Sequence, residues 1–191
     1  MRITLKKCLI TGIALLCLLF FFLAFVTTIT VNYGPLLGLT AKSSILGLQS
    51  GKPFNPVYVY SIPVIAKDAD SQTIQSVLDI TNGTVGAMGT MMMVILIIDA
   101  LAVVGSFFMP TPKGARGLTI PFLAITIIPA FVALAVVTAL TNLKLNDFEF
   151  AKSNPSLQII FLVVALVMFL ALCIVPGVVK EKVFVGKKEE K

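Results

Sequence analysis

The chain has 191 residues, of which 58% are apolar and 13% are charged, and its mean hydropathy is +1.02. These values lie outside the range of soluble globular proteins and within that of membrane proteins. The longest polar segment, residues 31–83, is small for an independent soluble core, so the composition excludes a separate soluble domain. The net charge of +6 is unevenly spread and does not indicate nucleic-acid binding.

The chain contains three cysteines and no histidine. Cys8, Cys17 and Cys173 all lie in or beside apolar runs, so the polar loops have no disulfide framework. A zinc site of the usual Cys/His type is excluded as well. Because no motif for a catalytic or cofactor site is present, we expect a protein that is not an enzyme and that binds no cofactor.

Four apolar runs predict four membrane-spanning helices, at about residues 8–30, 84–109, 118–140 and 156–176. The first run follows the basic start MRITLKK and has a signal peptide as its alternative. It is longer than such peptides and lacks a cleavage site, so an uncleaved span is preferred. The predicted fold is an all-α membrane protein, a four-transmembrane-helix bundle with a small extracellular cap that contains a short β element.

The cap is expected from two outer loops, residues 31–83 and 141–155. VYVYSIPVI, residues 57–65, is the best strand candidate, and residues 145–150 predict a short extended piece that pairs with it. From residue 71 the apolar period becomes helical, which predicts a rod of nearly 40 residues that continues through the second span. The predicted outer-loop contact residues are Val57, Tyr58, Val59, Tyr60, Phe148 and Phe150.

Two shorter segments connect the remaining spans. The basic link of residues 110–117 requires the second and third spans to be antiparallel neighbours, and SNPS predicts that the fourth span begins at Ser156. Residues 177–191 form a tail in which lysines alternate with apolar residues, so it is expected to lie against anionic lipid.

The orientation follows from the distribution of lysine and arginine. Ten of these residues lie in the two terminal segments and the link, namely Arg2, Lys6, Lys7, Lys113, Arg116, Lys180, Lys182, Lys187, Lys188 and Lys191. The other five lie in the two loops, namely Lys42, Lys52, Lys67, Lys144 and Lys152. We therefore expect both termini to lie on the cytoplasmic side. The protein is expected in the plasma membrane, with an endomembrane as the alternative.

Asp99 is the one ionisable side chain in the second span, and no other acid or base lies within any of the four spans. A buried carboxyl group usually faces the bundle interior and often marks an ion path. A path needs partners that this chain lacks, and removal from water favours the neutral form, which donates a hydrogen bond. We expect a structural tie from Asp99 to the Thr126 hydroxyl or to the Ile125 carbonyl, which Pro129 leaves without its donor. Contact with another subunit and transport are the alternatives.

Two residues are candidates for covalent modification. Asn82 begins the glycosylation motif Asn82-Gly83-Thr84 on the predicted outer side, although a loop or helix-end asparagine is the alternative. Cys8 lies beside Lys6 and Lys7 at the predicted cytoplasmic edge, where palmitoylation and an unmodified membrane cysteine are equally plausible.

This layout, with a longer first outer loop and a helix leading into the second span, resembles the claudin-like tetraspan group, including the fungal PalI family. The segment FNP, residues 54–56, before TIQSVLDI is similar to the outer loop of the fungal members, and DFEF before the fourth span is similar to the second claudin loop. Of the claudin first-loop signature the chain has Gly38-Leu39, without its tryptophan or cysteine pair.

These observations favour a non-enzymatic tetraspan scaffold or assembly protein that acts through lateral and outer-loop contacts. Its partners would be the lipid bilayer and either further copies of the chain or another membrane protein. An accessory subunit of a larger channel, transporter or oxidase complex is the first alternative. A small transporter that uses Asp99 is the second.

Overall fold

The computed structural model describes residues 3–33, 39–46, 71–140, 142, 144–145, 148–149, 151–180 and 183–185. In this part of the chain, four helices are long and apolar enough to cross a membrane, which confirms the tetraspan prediction. The helices are Leu5–Val26 (α1), Ser71–Phe108 (α2), Pro112–Leu140 (α3) and Ser156–Val178 (α4). The strands are Ile3–Thr4 (β1), Ile29–Tyr33 (β2), Leu39–Ser43 (β3), Lys144–Leu145 (β4), Phe148–Glu149 (β5), Ala151–Asn154 (β6) and Val183–Val185 (β7).

The first helix differs from the prediction at both ends. It begins at Leu5, and the Thr4 hydroxyl accepts a hydrogen bond from the Lys7 amide at 3.4 Å, as an N-cap does. It ends at Val26 and not at Thr30, because Ile29–Tyr33 forms β2. The segment TTITV is rich in β-branched residues, which lose side-chain freedom in a helix and fit a strand.

The link between the second and third spans is shorter than the predicted residues 110–117. Helix α2 ends at Phe108 and α3 already begins at Pro112. The Thr111 hydroxyl accepts a hydrogen bond from the Gly114 amide at 3.1 Å, and proline at the first helical position fits the fixed φ of its ring. Lys113 and Arg116 are therefore helical residues and not loop residues.

Helix α2 confirms the prediction of one rod that continues into the second span. It has 38 residues, which corresponds to a length of about 57 Å. A methyl group built at Gly83 or at Gly86 would have open space around it, so neither glycine marks a break or a close contact.

Helix α4 begins at Ser156, as the motif SNPS predicts. The Asn154 side chain accepts hydrogen bonds from the amide of Ser156, at 3.2 Å, and from its hydroxyl. The amide of Ile159 donates to the Pro155 carbonyl at 3.0 Å, which closes the first helical turn. The cap and the proline therefore set the start of the fourth span.

The main described sheet is antiparallel, with the strand order β3-β2-β6. Val31 pairs with Ala41 in β3 and with Ser153 in β6, so the sheet joins the first outer segment to the second. None of these three strands was predicted. The predicted strand at residues 57–65 lies outside the described residues. Strands β4 and β5 of the second segment pair with each other, and the expected pairing of residues 145–150 with residues 57–65 stays a prediction.

The chain forms two compact units that divide the helices. The terminal unit comprises Met1–Ala24, Val94–Phe131 and Ile160–Lys191, and the loop unit comprises Phe25–Met93 and Val132–Ile159. In the terminal unit, β1 and β7 pair, with Ile3 opposite Val185 and Thr4 opposite Val183. The predicted tail of residues 177–191 is corrected, because helix α4 extends to Val178 and Val183–Val185 forms a strand.

The core of the terminal unit is an apolar stripe on each helix. On α1 the buried residues recur at intervals of three and four, as one face of a helix requires, and they are Ile10, Ala14, Cys17 and Phe21. The opposite face exposes Leu15, Leu16, Leu19 and Phe22. Because these exposed residues are as apolar as the core, lipid is the solvent that fits them.

Candidate functional site

Asp99 is buried in the terminal unit and lies against Thr126 of α3. The Thr126 Oγ1 donates a hydrogen bond to Asp99 Oδ2 at a distance of 2.6 Å. Asp99 is 2% exposed and Thr126 is fully buried. Of the two partners that the sequence suggested, the Thr126 hydroxyl is the one that Asp99 contacts.

The same threonine hydroxyl also lies 3.1 Å from the Phe122 carbonyl oxygen, one helical turn earlier. A hydroxyl has one hydrogen and cannot donate fully to both acceptors. If Asp99 carries a proton, it donates to Thr126 Oγ1, and Thr126 donates to the Phe122 carbonyl. A neutral Asp99 therefore makes both contacts true hydrogen bonds, whereas an ionised one leaves two acceptors competing for one hydrogen.

Pro129 lies in α3 three residues after Thr126. It has no amide hydrogen and so cannot donate to the Ile125 carbonyl, which would be its partner in a regular helix. Nevertheless α3 continues through Pro129 to Leu140. Pro129 is half-buried.

Four contacts in the terminal unit join the helices in the cyclic order α1-α2-α3-α4. One is the hydrogen bond between Asp99 and Thr126. The other three are Thr11 Oγ1 to Ser106 Oγ at 3.2 Å, Cys17 Sγ to the Ala165 carbonyl at 3.3 Å, and Arg116 Nη2 to the Cys173 carbonyl. Each helix is therefore tied to both of its neighbours by a polar or sulfur contact.

In the loop unit, a tight turn of the first outer segment is seated against α2. Ile45 and Leu46 are buried, and the Leu46 amide donates to the Phe25 carbonyl, at 3.0 Å, near the end of α1. A methyl group at Gly89 would overlap the Ile45 carbonyl oxygen. Only a glycine lets the turn approach α2 this closely.

Gln158 fixes the start of α4 within the same unit. Its Nε2 donates to the carbonyl oxygen of Thr27 at 3.1 Å and lies 3.2 Å from the Thr27 hydroxyl. The side chain is 1% exposed, and its Oε1 has no hydrogen-bond partner among the described residues. Asn142 makes a second link, because it donates to the Thr138 carbonyl at 2.7 Å and accepts from the Ser153 amide at 2.8 Å.

Of the other predicted site residues, the structure describes Asn82, Cys8 and Phe148. Asn82 lies within α2, and its glycosylation stays a prediction. Cys8 is exposed near the start of α1 and is a free cysteine. Phe148 belongs to β5, and the remaining predicted contact residues, Val57, Tyr58, Val59, Tyr60 and Phe150, lie outside the described residues.

Gln158 and Lys7 are buried polar residues that were not predicted as site residues. Gln158 carried a signal, because it is the one amide side chain within the fourth apolar run. Lys7 is 2% exposed, although the sequence placed it among the solvated basic residues of the terminal segment. Nothing in the sequence distinguishes Lys7 from Lys6.

The chain was compared with known proteins by family, by sequence and by structure. No protein-family model matches it, and neither a curated protein nor a solved structure is similar to it. The fold and the contacts above are therefore the grounds for a functional conclusion.

Proposed function

We propose that this protein is a non-enzymatic tetraspan membrane scaffold, which assembles with further copies of itself or with another membrane protein. The observation that carries this proposal is the sheet β3-β2-β6, in which both outer segments meet. Strand β2 begins three residues after α1, and β6 ends two residues before α4. A sheet attached so directly to two spans presents a fixed surface to a partner.

The terminal unit supports the same proposal. Other groups of the protein bond to the half-buried Thr11 side chain and to the buried Ser106, Asp99 and Thr126 side chains. A transport path would instead need polar groups that are free to exchange partners with an ion or with water. These bonds stabilise the helix arrangement, which suits a passive scaffold.

The proposed partners meet the protein in two places. The edge strands of the described sheet, β3 and β6, offer backbone groups to an extended segment of a partner. The outward apolar faces of the spans are available for lateral association within the bilayer. In line with the resemblance to the claudin-like group, we place the protein in the plasma membrane with both termini in the cytoplasm.

The test is native mass spectrometry of the protein extracted with its surrounding lipid in polymer-bounded discs. We expect a particle that contains two or more copies of the chain, or one copy with another membrane protein. A fixed stoichiometric complex with a channel, transporter or oxidase would favour the accessory-subunit alternative instead. A lone chain at native expression level would refute the proposal.

The transporter alternative is separated by a flux measurement on Asp99→Asn. The amide can still hydrogen-bond to Thr126 but cannot release a proton. We expect the wild type and the variant in liposomes to show the same pH-driven flux as protein-free vesicles. A flux in the wild type that disappears in the variant would replace the scaffold with a transporter.

A further inference from the structure

The ammonium group of Lys7 is buried near the start of α1, at the end of the terminal unit where β1 pairs with β7. Its Nζ has no hydrogen-bond partner among the described residues and lies 5.5 Å from the centre of the Phe107 ring. Lysines near the ends of membrane helices usually extend along the helix and place the ammonium group in water. The Lys7 side chain instead places its ammonium group against the last turn of α2.

This position compensates only part of the cost of burying a charge. The face of Phe107 attracts a cation, and the carbonyl groups in the last turn of α2 carry partial negative charge. Neither replaces the hydrogen bonds that an ammonium group makes in water. An anion with several acceptor oxygens would supply what is missing.

The charged side chains described in the terminal unit favour an anion from outside the protein. The basic residues described in the terminal unit are Lys6, Lys7, Lys113, Arg116 and Lys180. Asp99 is the one acidic side chain described there, and it is hydrogen-bonded to Thr126 within the membrane-spanning part of the bundle. The described side chains of this unit therefore offer Lys7 no ionic partner.

We propose that this end of the bundle binds the phosphate group of an anionic phospholipid, with Lys7 as the fixed cation. Lys7 is the third residue of a membrane-spanning helix, which is the depth at which lipid headgroups lie. A headgroup phosphate at this depth would accept the hydrogen bonds that the Lys7 ammonium group lacks. If both termini are cytoplasmic, the adjoining leaflet is the one that is rich in anionic lipid.

The test uses nanodiscs of phosphatidylcholine with and without phosphatidylglycerol, and native mass spectrometry to count the retained lipids. We expect the wild type to retain phosphatidylglycerol preferentially. In Lys7→Met this preference should fall by about fivefold or more, which is the effect of one lysine at an anionic surface. Lys7→Arg, which keeps the charge, should retain the preference.

Lys113→Met is the matched control, because Lys113 is exposed at the same end of the bundle and the substitution removes the same charge. Equal losses in Lys7→Met and Lys113→Met would show a diffuse charge effect and refute a site at Lys7. An unchanged preference in Lys7→Met would also refute it. If Lys7→Met does not fold, the lipid preference of the wild type is measured at about 0.5 M NaCl instead. A site at Lys7 should keep its preference for phosphatidylglycerol at this salt concentration, whereas a diffuse charge effect should disappear.

Discussion

At the scale of the residue, the terminal unit shows how a polar side chain is accommodated within a membrane. Burying a polar group without a partner costs about 1–3 kcal/mol. Asp99 avoids this cost because Thr126 lies within 2.6 Å. The sequence predicted this contact as one of two alternatives, since an antiparallel second and third span place Asp99 at the depth of both the Thr126 hydroxyl and the Ile125 carbonyl.

The first prediction concerns Thr126→Val, which keeps the shape of the side chain and removes the hydroxyl. We expect it to lower the stability in detergent micelles by about 0.5–2 kcal/mol, the range of hydrogen bonds between membrane helices. Thr119→Val is the control, because Thr119 is equally buried on the same helix and donates to the carbonyl of Ala115 in its own helix. Equal losses in thermal unfolding would contradict a tie between α2 and α3.

The second prediction separates hydrogen bonding from charge at Asp99. Asp99→Asn retains a group that can bond to Thr126, whereas Asp99→Leu does not. Thr126→Val should then cost nearly as much stability in the Asp99→Asn background as in the wild type, and much less in the Asp99→Leu background. If Thr126→Val costs equally little stability in both backgrounds, the contact needs the carboxyl group of Asp99.

At the scale of the element, the sequence predicted the helices better than the strands. A membrane span needs about 20 apolar residues, and that signal is local. The strands β2, β3 and β6 are stabilised by partners far away in the chain, and such pairing is not visible in a short window of sequence. The segment LTAKS, which forms β3, therefore looked like part of a turn-rich loop.

The predicted boundaries of two helices, the end of α1 and the start of α3, were wrong for a related reason. Apolar content does not distinguish the last turn of a helix from a buried strand, so residues Ile29 and Thr30 were assigned to the first span. At the start of α3 the missed signal was local, because Thr111 followed by Pro112 is a cap with proline at the first helical position. The basic charge of the link concealed it.

The third prediction tests whether the turn that contains Ile45 and Leu46 packs against α2. Gly89→Ala places a methyl group on the Ile45 carbonyl, and a backbone group cannot move aside cheaply. We expect a loss of about 1–3 kcal/mol in unfolding free energy. Gly86→Ala, on the same helix with open space around it, should leave the stability unchanged or raise it by up to about 1 kcal/mol. If the two variants unfold alike, Ile45 is not seated on Gly89.

At the scale of the whole molecule, charge is separated along the chain in a way that matches four crossings. The segments expected in the cytoplasm contain ten basic residues and three acidic ones, Glu181, Glu189 and Glu190. The two outer loops contain five of each sign, so they carry no net charge. An even number of crossings places both termini on one side, and the excess of lysine and arginine favours the cytoplasmic side.

This orientation gives the fourth prediction, which uses cysteine labelling with a reagent that does not cross membranes. Lys152→Cys and Lys113→Cys are a matched pair, because both lysines are exposed, one in β6 and the other at the start of α3. A Cys8→Ala background removes the exposed native thiol, and Cys17 is buried. On intact cells we expect label at position 152, and at position 113 only after permeabilisation. The reverse pattern would show that the protein has the opposite orientation in the membrane. Label at both positions before permeabilisation would show that α3 does not cross the membrane.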